Sequence, residues 1–221
     1  MASRTLAVAG VTAAALATAF TFTGTASAHT TGSAVAHHAV TATKAAPAKG
    51  GCYSNNDPAG DTGVGVTSAN YSDNESDNTQ GAVDFSVKKS CVITKVTTTG
   101  IYYNGSGPAD SVNVIFYKNT KGEPGKVVKE YDNLKYTDST GTGALAVKIK
   151  KTTLKKGKYF VTVAANMTLG TGGQWGWELT SNQKGAMDQW ENQGGGFGVC
   201  PTWGDVLSCV GFGNDFMVAL S

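Results

Sequence analysis

The sequence predicts an all-β fold, built as a single antiparallel β-sandwich, and three observations carry that prediction. Apolar and polar residues alternate at a period of two in several separate runs. No stretch after Gly51 sustains a 3.6-residue apolar period over three turns. Glycine, proline and asparagine clusters separate the runs at short intervals, which leaves no room for crossover helices.

Taken in order, Ala82–Val87 and Cys91–Tyr103 read as the first, less regular strands. Asn104-Gly105-Ser106-Gly107-Pro108 then ends the second of them. Val112, Val114 and Phe116 share one face, with Asn113 and Tyr117 on the other. Gly122-Glu123-Pro124-Gly125 fits a type II turn with Gly125 at its positive-φ position. Val127–Asp132 follows, and then Leu145, Val147 and Ile149 alternate with Lys148 and Lys150. Lys155-Lys156-Gly157 turns into a strand carrying Tyr159, Val161 and Val163. Gln174–Thr180 and the closing Phe216, Val218 and Leu220 complete a sandwich of eight or nine strands, jelly-roll-like in type. Gly185 to Gly213 is loop-rich and holds Gly194-Gly195-Gly196, which marks the region for a functional surface.

The N-terminus reads as a secretory signal over residues 1–28. Arg4 gives the positive start, an apolar run follows from Leu6, and Ala26-Ser27-Ala28 is the cleavage signature. Residues 29–50 read as a disordered spacer of small and polar groups. The expectation is therefore a secreted, extracellular chain whose folded domain occupies 51–221, with no membrane span once the leader is removed. Cys52, Cys91, Cys200 and Cys209 form an even set, which argues for two disulfides in an exported chain. Three pairings are open, and Cys52 with Cys91 and Cys200 with Cys209 is the expected one. A four-cysteine zinc site is disfavoured because no C-x2-C pair is present.

All three histidines, His29, His37 and His38, and the only arginine, Arg4, precede residue 39. The folded part thus lacks the commonest general base and metal ligand, and the usual clamp for phosphate. This disfavours Ser-His and Cys-His hydrolases, zinc enzymes and phosphate binders. Setting aside Arg4, Lys44 and Lys49 brings the 18 basic residues close to balance with the 16 acidic ones. Lys148 and Lys150 fit the solvated face of a strand, so no nucleic-acid partner is expected.

The runs Asp110-Ser-Val-Asn-Val-Ile-Phe-Tyr117, Gly122-Glu-Pro-Gly125, Gly173-Gln-Trp-Gly-Trp177, Trp190-Glu-Asn192 and Gly194-Gly-Gly-Phe-Gly198 carry a resemblance. Together they resemble a secreted bacterial β-sandwich module of unsettled function, found alone or appended to exported peptidases and other exoenzymes. The likeness runs from about Gly81 to the C-terminus. It implies a non-catalytic accessory or adhesive role and supplies no catalytic residues.

Four tryptophans fall late in the chain. Trp175 and Trp177 are two apart and share a strand face, which reads as core. Trp190 and Trp203 sit among glycines and polar groups and are the ligand-binding candidates, as a stacking platform for sugar rings. Asp73, Glu75 and Asp77 concentrate oxygen ligands suited to a structural calcium ion, although the spacing departs from an EF-hand loop. No other cofactor is expected. Glu178, Asp188 and Glu191, near the tryptophans, are the residues a carboxylate-based glycoside hydrolase would use. The leading expectation is a monomeric binding or adhesion module whose partner is an extracellular polysaccharide or an exported protein. The alternatives are that hydrolase, or a structural or inhibitory protein acting on another exported protein.

Overall fold

The computed structural model describes residues 34–37 and 51–221. The expected signal peptide, and residues 29–33 and 38–50 of the expected spacer with His29 and His38, lie outside the described residues. Seventeen strand segments are present among the described residues. They are β1 (Val35–His37), β2 (Tyr53–Ser54), β3 (Asp61–Thr67), β4 (Ala69–Tyr71), β5 (Gln80–Val87), β6 (Cys91–Thr98), β7 (Gly100–Tyr103), β8 (Ser111–Thr120) and β9 (Glu123–Leu134). There follow β10 (Tyr136–Asp138), β11 (Leu145–Leu154), β12 (Gly157–Met167), β13 (Gln174–Thr180), β14 (Gln189–Glu191), β15 (Gly204–Asp205), β16 (Asp215–Phe216) and β17 (Val218–Leu220). Among the described residues the two α-helices, α1 (Leu169–Gly172) and α2 (Val206–Val210), are single turns, and 3-10 turns form at Pro58–Gly60 and Glu75–Asp77. Among the described residues, no helix is long and apolar enough to cross a membrane.

One sheet runs β15-β14-β5-β12-β8-β9, with β4 lying parallel against the far end of β12. A second contains β1, β3, β13, β7 and β16, and a third runs β10-β11-β6-β17-β2. The second and third meet where single residues interrupt two strands. Thr99 separates β6 from β7, and Met217 separates β16 from β17. Glu178 N donates to Thr99 O at 3.0 Å, Met217 N to Glu178 O at 2.9 Å, and Thr99 N to Met217 O at 3.4 Å. The two sheets thus continue into each other. The all-β antiparallel architecture is as expected. Its segments outnumber the expected eight or nine because such interruptions divide long strands, and because Asp61–Thr67 and Ala69–Tyr71 form in a stretch whose glycines hide the alternation.

Alternation sets the two faces of the β12 sheet. Tyr159, Val161, Val163, Ala165 and Met167 enter the apolar core, together with Val112, Val114 and Phe116 of β8. Ile93, Val96, Leu145, Val147, Val66, Trp175, Trp177 and Phe216 reach the same core from the other sheets. The lysines between them on β11, Lys148 and Lys150, are exposed. Trp175 and Trp177 are fully buried, and their indole N–H groups donate to Gly143 O at 2.9 Å and Met217 O at 2.8 Å. Gly81 of β5 faces the Phe216 ring, and a Cβ there would stand 2.8 Å from that ring. A side chain at this point would force the layers apart.

Two local expectations need correction. The β8–β9 hairpin turns at Lys121 (φ 58°) and Gly122 (φ 99°), with Asn119 Oδ1 accepting from Gly122 N at 3.0 Å. Two positive-φ residues match the twist of a two-residue hairpin, which a type II turn does not. Glu123, Pro124 and Gly125 accordingly lie in β9, and Pro124 is tolerated because β9 is an edge strand. Within the expected spacer, Val35–His37 pairs antiparallel with Val64–Val66 and covers the open side of β3, so those residues belong to the sheet.

The disulfides are Cys52–Cys91 and Cys200–Cys209. The first closes 39 residues and the second 9. Loop-closure entropy assigns them about 4 and about 3 kcal/mol respectively. The double-serine variant of the first pair is expected to lose the larger share of stability, as measured by urea denaturation of both variants.

Candidate functional site

The outward face of the β12 sheet carries Phe160, Thr162, Ala164 and Asn166 along β12; the first three are buried beneath neighbouring groups, and Asn166 is half-buried. A row of amides crosses four strands at the Asn166 end. Registers Asn166 with Asn70 of β4, and Asn166 with Ser111 of β8, bring these side chains side by side. Asn70 Nδ2 donates to Asn166 Oδ1 at 2.9 Å. Asn166 Nδ2 lies 2.9 Å from Ser111 Oγ and 2.8 Å from Asn113 Oδ1. Asn133 belongs to β9, where a bulge beside Val112 places it in the left-handed region at φ 53°. Its backbone N–H donates to Asn113 Oδ1 at 2.9 Å, and its Oδ1 accepts from Ser111 Oγ at 3.3 Å. From the β14 side, Gln193 Nε2 reaches Asn70 Oδ1 at 3.4 Å.

Asn70, Ser111, Asn133 and Asn166 of this row line an open groove of about 380 Å³, with Ser72, Glu75, Asn78, Asp110, Tyr71 and Met167, and Asn113 lies beside it. No lysine lines it. The network engages the oxygens of Asn113 and Asn133 but leaves their Nδ2 groups without partners among the described residues. The amide planes are therefore held while donors remain available to a ligand, which lowers the ordering cost of binding.

The glycine loop Gly194–Gly198 closes one side of this end. Gly196 N donates to Ser76 O at 2.7 Å, and Asn192 Nδ2 donates to Asn78 O at 2.9 Å. A Cβ on Gly196 would lie 2.4 Å from Asp77 Oδ1, so only glycine permits this contact.

That packing bears on the calcium expectation. Asp73 directs both carboxylate oxygens to the amides of α1, accepting from Leu169 N at 2.7 Å and Gly170 N at 2.9 Å. The Gly170 bond is the main reason its carboxyl is held below the ordinary range. Asp77 is buried beneath Gly196, and Glu75 lines the groove. The three carboxylates are thus divided among different neighbours. Among the described residues, no group of three His, Cys, Asp or Glu side chains is placed to hold a metal ion.

The two tryptophans read as a platform have different fates. Trp190 is fully buried, its Nε1 donates to Thr67 O at 2.8 Å, and Phe197 packs 6.3 Å from it. Pairing of β14 with β5, Trp190 opposite Gly81, draws it out of the loop and into the sandwich. It presents no ring face to a ligand, which corrects the expectation for this residue. Trp203 is half-buried and meets Tyr117 edge-on, with centroids 6.0 Å apart at 71°.

The carboxylates considered for hydrolysis also separate. Asp188 is fully buried, and accepts the backbone N–H of Asp84 at 2.9 Å and that of Phe216 at 2.7 Å. Burial, reinforced by Asp215, raises its pKa well above the ordinary value. Glu178 is buried beside Asp61, and burial followed by that neighbouring charge pushes its carboxyl up to about 8. Glu191 is half-buried, and burial raises it to about 7. None of the three lines the groove.

The amide row was not anticipated from the sequence. Asn70, Asn113, Asn133 and Asn166 are spread over almost a hundred residues. The only signal was Asn113 on the polar face of an alternating strand.

The raised pKa of Glu178 has a defined consequence for stability. The folded state holds a proton there that the unfolded state releases near 4.5. Stability is therefore fully present below that value and is lost as pH rises through about 8. Thermal unfolding is expected at its highest temperature in mild acid and to fall towards pH 8, and Glu178→Gln is expected to flatten the decline. A melting temperature that rises across this range would contradict the assignment. Comparison with protein-family models, with characterised proteins and with solved structures finds no match to this chain.

Proposed function

We propose that this protein is an extracellular, non-catalytic binding module for a glycan, held on the outward face of the β12 sheet. The observation that carries the reading is the amide row Asn70–Asn166–Asn113–Asn133, cross-bonded over four strands beside an open groove. Sugar hydroxyls both donate and accept, and amides match them with one donor and one acceptor group each. Phosphate or nucleic-acid recognition would call for arginine or lysine, and the lining has neither. The groove is open, as accommodation of a polymer passing across it requires. Two disulfides suit an oxidising compartment outside the cell. The leader signature supports export, and the polysaccharide is the partner that follows.

A glycan array, followed by depletion on the insoluble polysaccharide it identifies, tests the reading. Asn113→Ala and Asn133→Ala each remove an available donor and are expected to weaken binding by about fivefold, the loss of about 1 kcal/mol. Asn166→Ala removes the residue that orients the others and is expected to cost more than either. Trp190→Ala is expected to act on folding instead, at about 3–5 kcal/mol. Retention on no glycan, or binding unchanged in Asn166→Ala, would overturn the proposal.

A further inference from the structure

A second cluster occupies the same face, towards β14. Strands β5 and β8 flank β12, and Tyr117 Oη of β8 reaches Gln80 Oε1 of β5 at 3.5 Å. The Tyr117 side chain therefore crosses β12. Thr162 lies on the outward face there, paired with Ala82 on one side and Ile115 on the other. Its hydroxyl is completely buried and has no hydrogen-bond partner. Trp203 stands edge-on to Tyr117. Glu191 is in register with Gln80, and its carboxylate has no partner among the described residues. Gln80 is itself about nine-tenths buried, and among the described residues its side chain's only hydrogen bond is the long one from Tyr117.

The charges beside Tyr117 are acidic, while Lys158, further along the same face, acts on Asp84. Glu191 and Glu130 are the groups whose charge acts on the Tyr117 hydroxyl. The lysines nearest in sequence are engaged elsewhere: Lys118 Nζ bonds Tyr159 Oη at 2.8 Å, and Lys129 Nζ lies 5.3 Å from the centre of the Tyr131 ring. The groove at the Asn166 end repeats the pattern, with Glu75 and Asp110 in its lining and no lysine. Glu191, half-buried beside two electron-rich rings, attracts a cation that can also be held over a ring face. Thr162 and Asn166 are four residues apart on one strand, about 13 Å. An oligosaccharide of a few rings covers both places.

Resting on the glycan reading above, we infer that the ligand is an amino-bearing glycan, with one ammonium group seated between Glu191 and the Trp203–Tyr117 pair. The amide row then holds the hydroxyls of neighbouring rings, and Glu75 and Asp110 face further amines along the chain.

Calorimetric titration of the full-length chain with a glucosamine oligomer, and with its fully N-acetylated counterpart, tests this. The two ligands share ring, linkage and length and differ in free amines. The glucosamine oligomer is expected to bind about tenfold more tightly. Glu191→Gln is expected to remove the preference, and Trp203→Ala to weaken binding of the amine form; either variant serves should the other fail to fold. Equal affinity for the two oligomers would overturn the inference and leave glycan binding standing. Binding of neither would overturn it too, with the array deciding the broader reading. Poly-lysine bound as tightly as the amino oligomer would assign the site to a cationic polypeptide and overturn the sugar ligand.

Discussion

The packing of the two layers turns on one buried carboxylate. Asp188 accepts a backbone N–H from Asp84 in one sheet and another from Phe216 in the opposing one. A second link runs through its own main chain, where Asp188 O accepts from Val206 N at 3.0 Å and fixes the start of α2. Both oxygens are satisfied in a place that water does not reach; the two bonds offset part of the desolvation cost, and burial still raises the carboxyl's pKa well above its ordinary value. The sandwich meets at this corner because the polar clamp and the apolar contact of Phe216 with Gly81 coincide. The segment from Gly185 to Gly213 depends on it in turn. With Asp188 anchored, β14 falls into register with β5, and Trp190 enters the core.

This corner also shows why part of the site was illegible in the sequence. An aspartate and a glutamate near tryptophans have the composition of a hydrolytic centre. What decides their role is whether their oxygens meet backbone amides or open space, and that depends on strands far apart in the chain. Trp190 shows the same limit from the other direction, since its polar, glycine-rich neighbours describe a loop while a three-residue strand buries it. By contrast, Trp175 and Trp177 were readable as core from spacing alone, because alternation within one strand is a local property. The alternating runs of β8, β11 and β12 were readable for that reason too. The hairpin at Lys121–Gly122 was misplaced because proline and glycine suggest a turn more strongly than lysine and asparagine do, although strand twist favours the pair with two positive φ angles.

The outward face owes its chemistry to an economy of the fold. Every strand in an antiparallel sandwich must alternate, so each core-facing residue leaves a neighbour pointing away. On β12 those neighbours are Phe160, Thr162, Ala164 and Asn166, an unusually mixed row for a central strand. The first three are covered, with the Tyr117 side chain crossing the strand, and the amides at the Asn166 end border the groove. Rigid β-structure thus presents the amide row and Glu191, while Glu75, Asp110 and Trp203 come from turns and irregular backbone.

The distribution of tryptophans has an optical consequence. Trp175, Trp177 and Trp190 are sealed inside the sandwich, each with its N–H bonded to a carbonyl, whereas Trp203 alone is half-buried, beside Tyr117. Three indoles therefore emit from a fixed dry environment, and the fourth is the one that dissolved quenchers can reach. Changes at the red edge of the emission of the native protein belong to Trp203, so the chain carries its own single-residue reporter on the face where a ligand would sit.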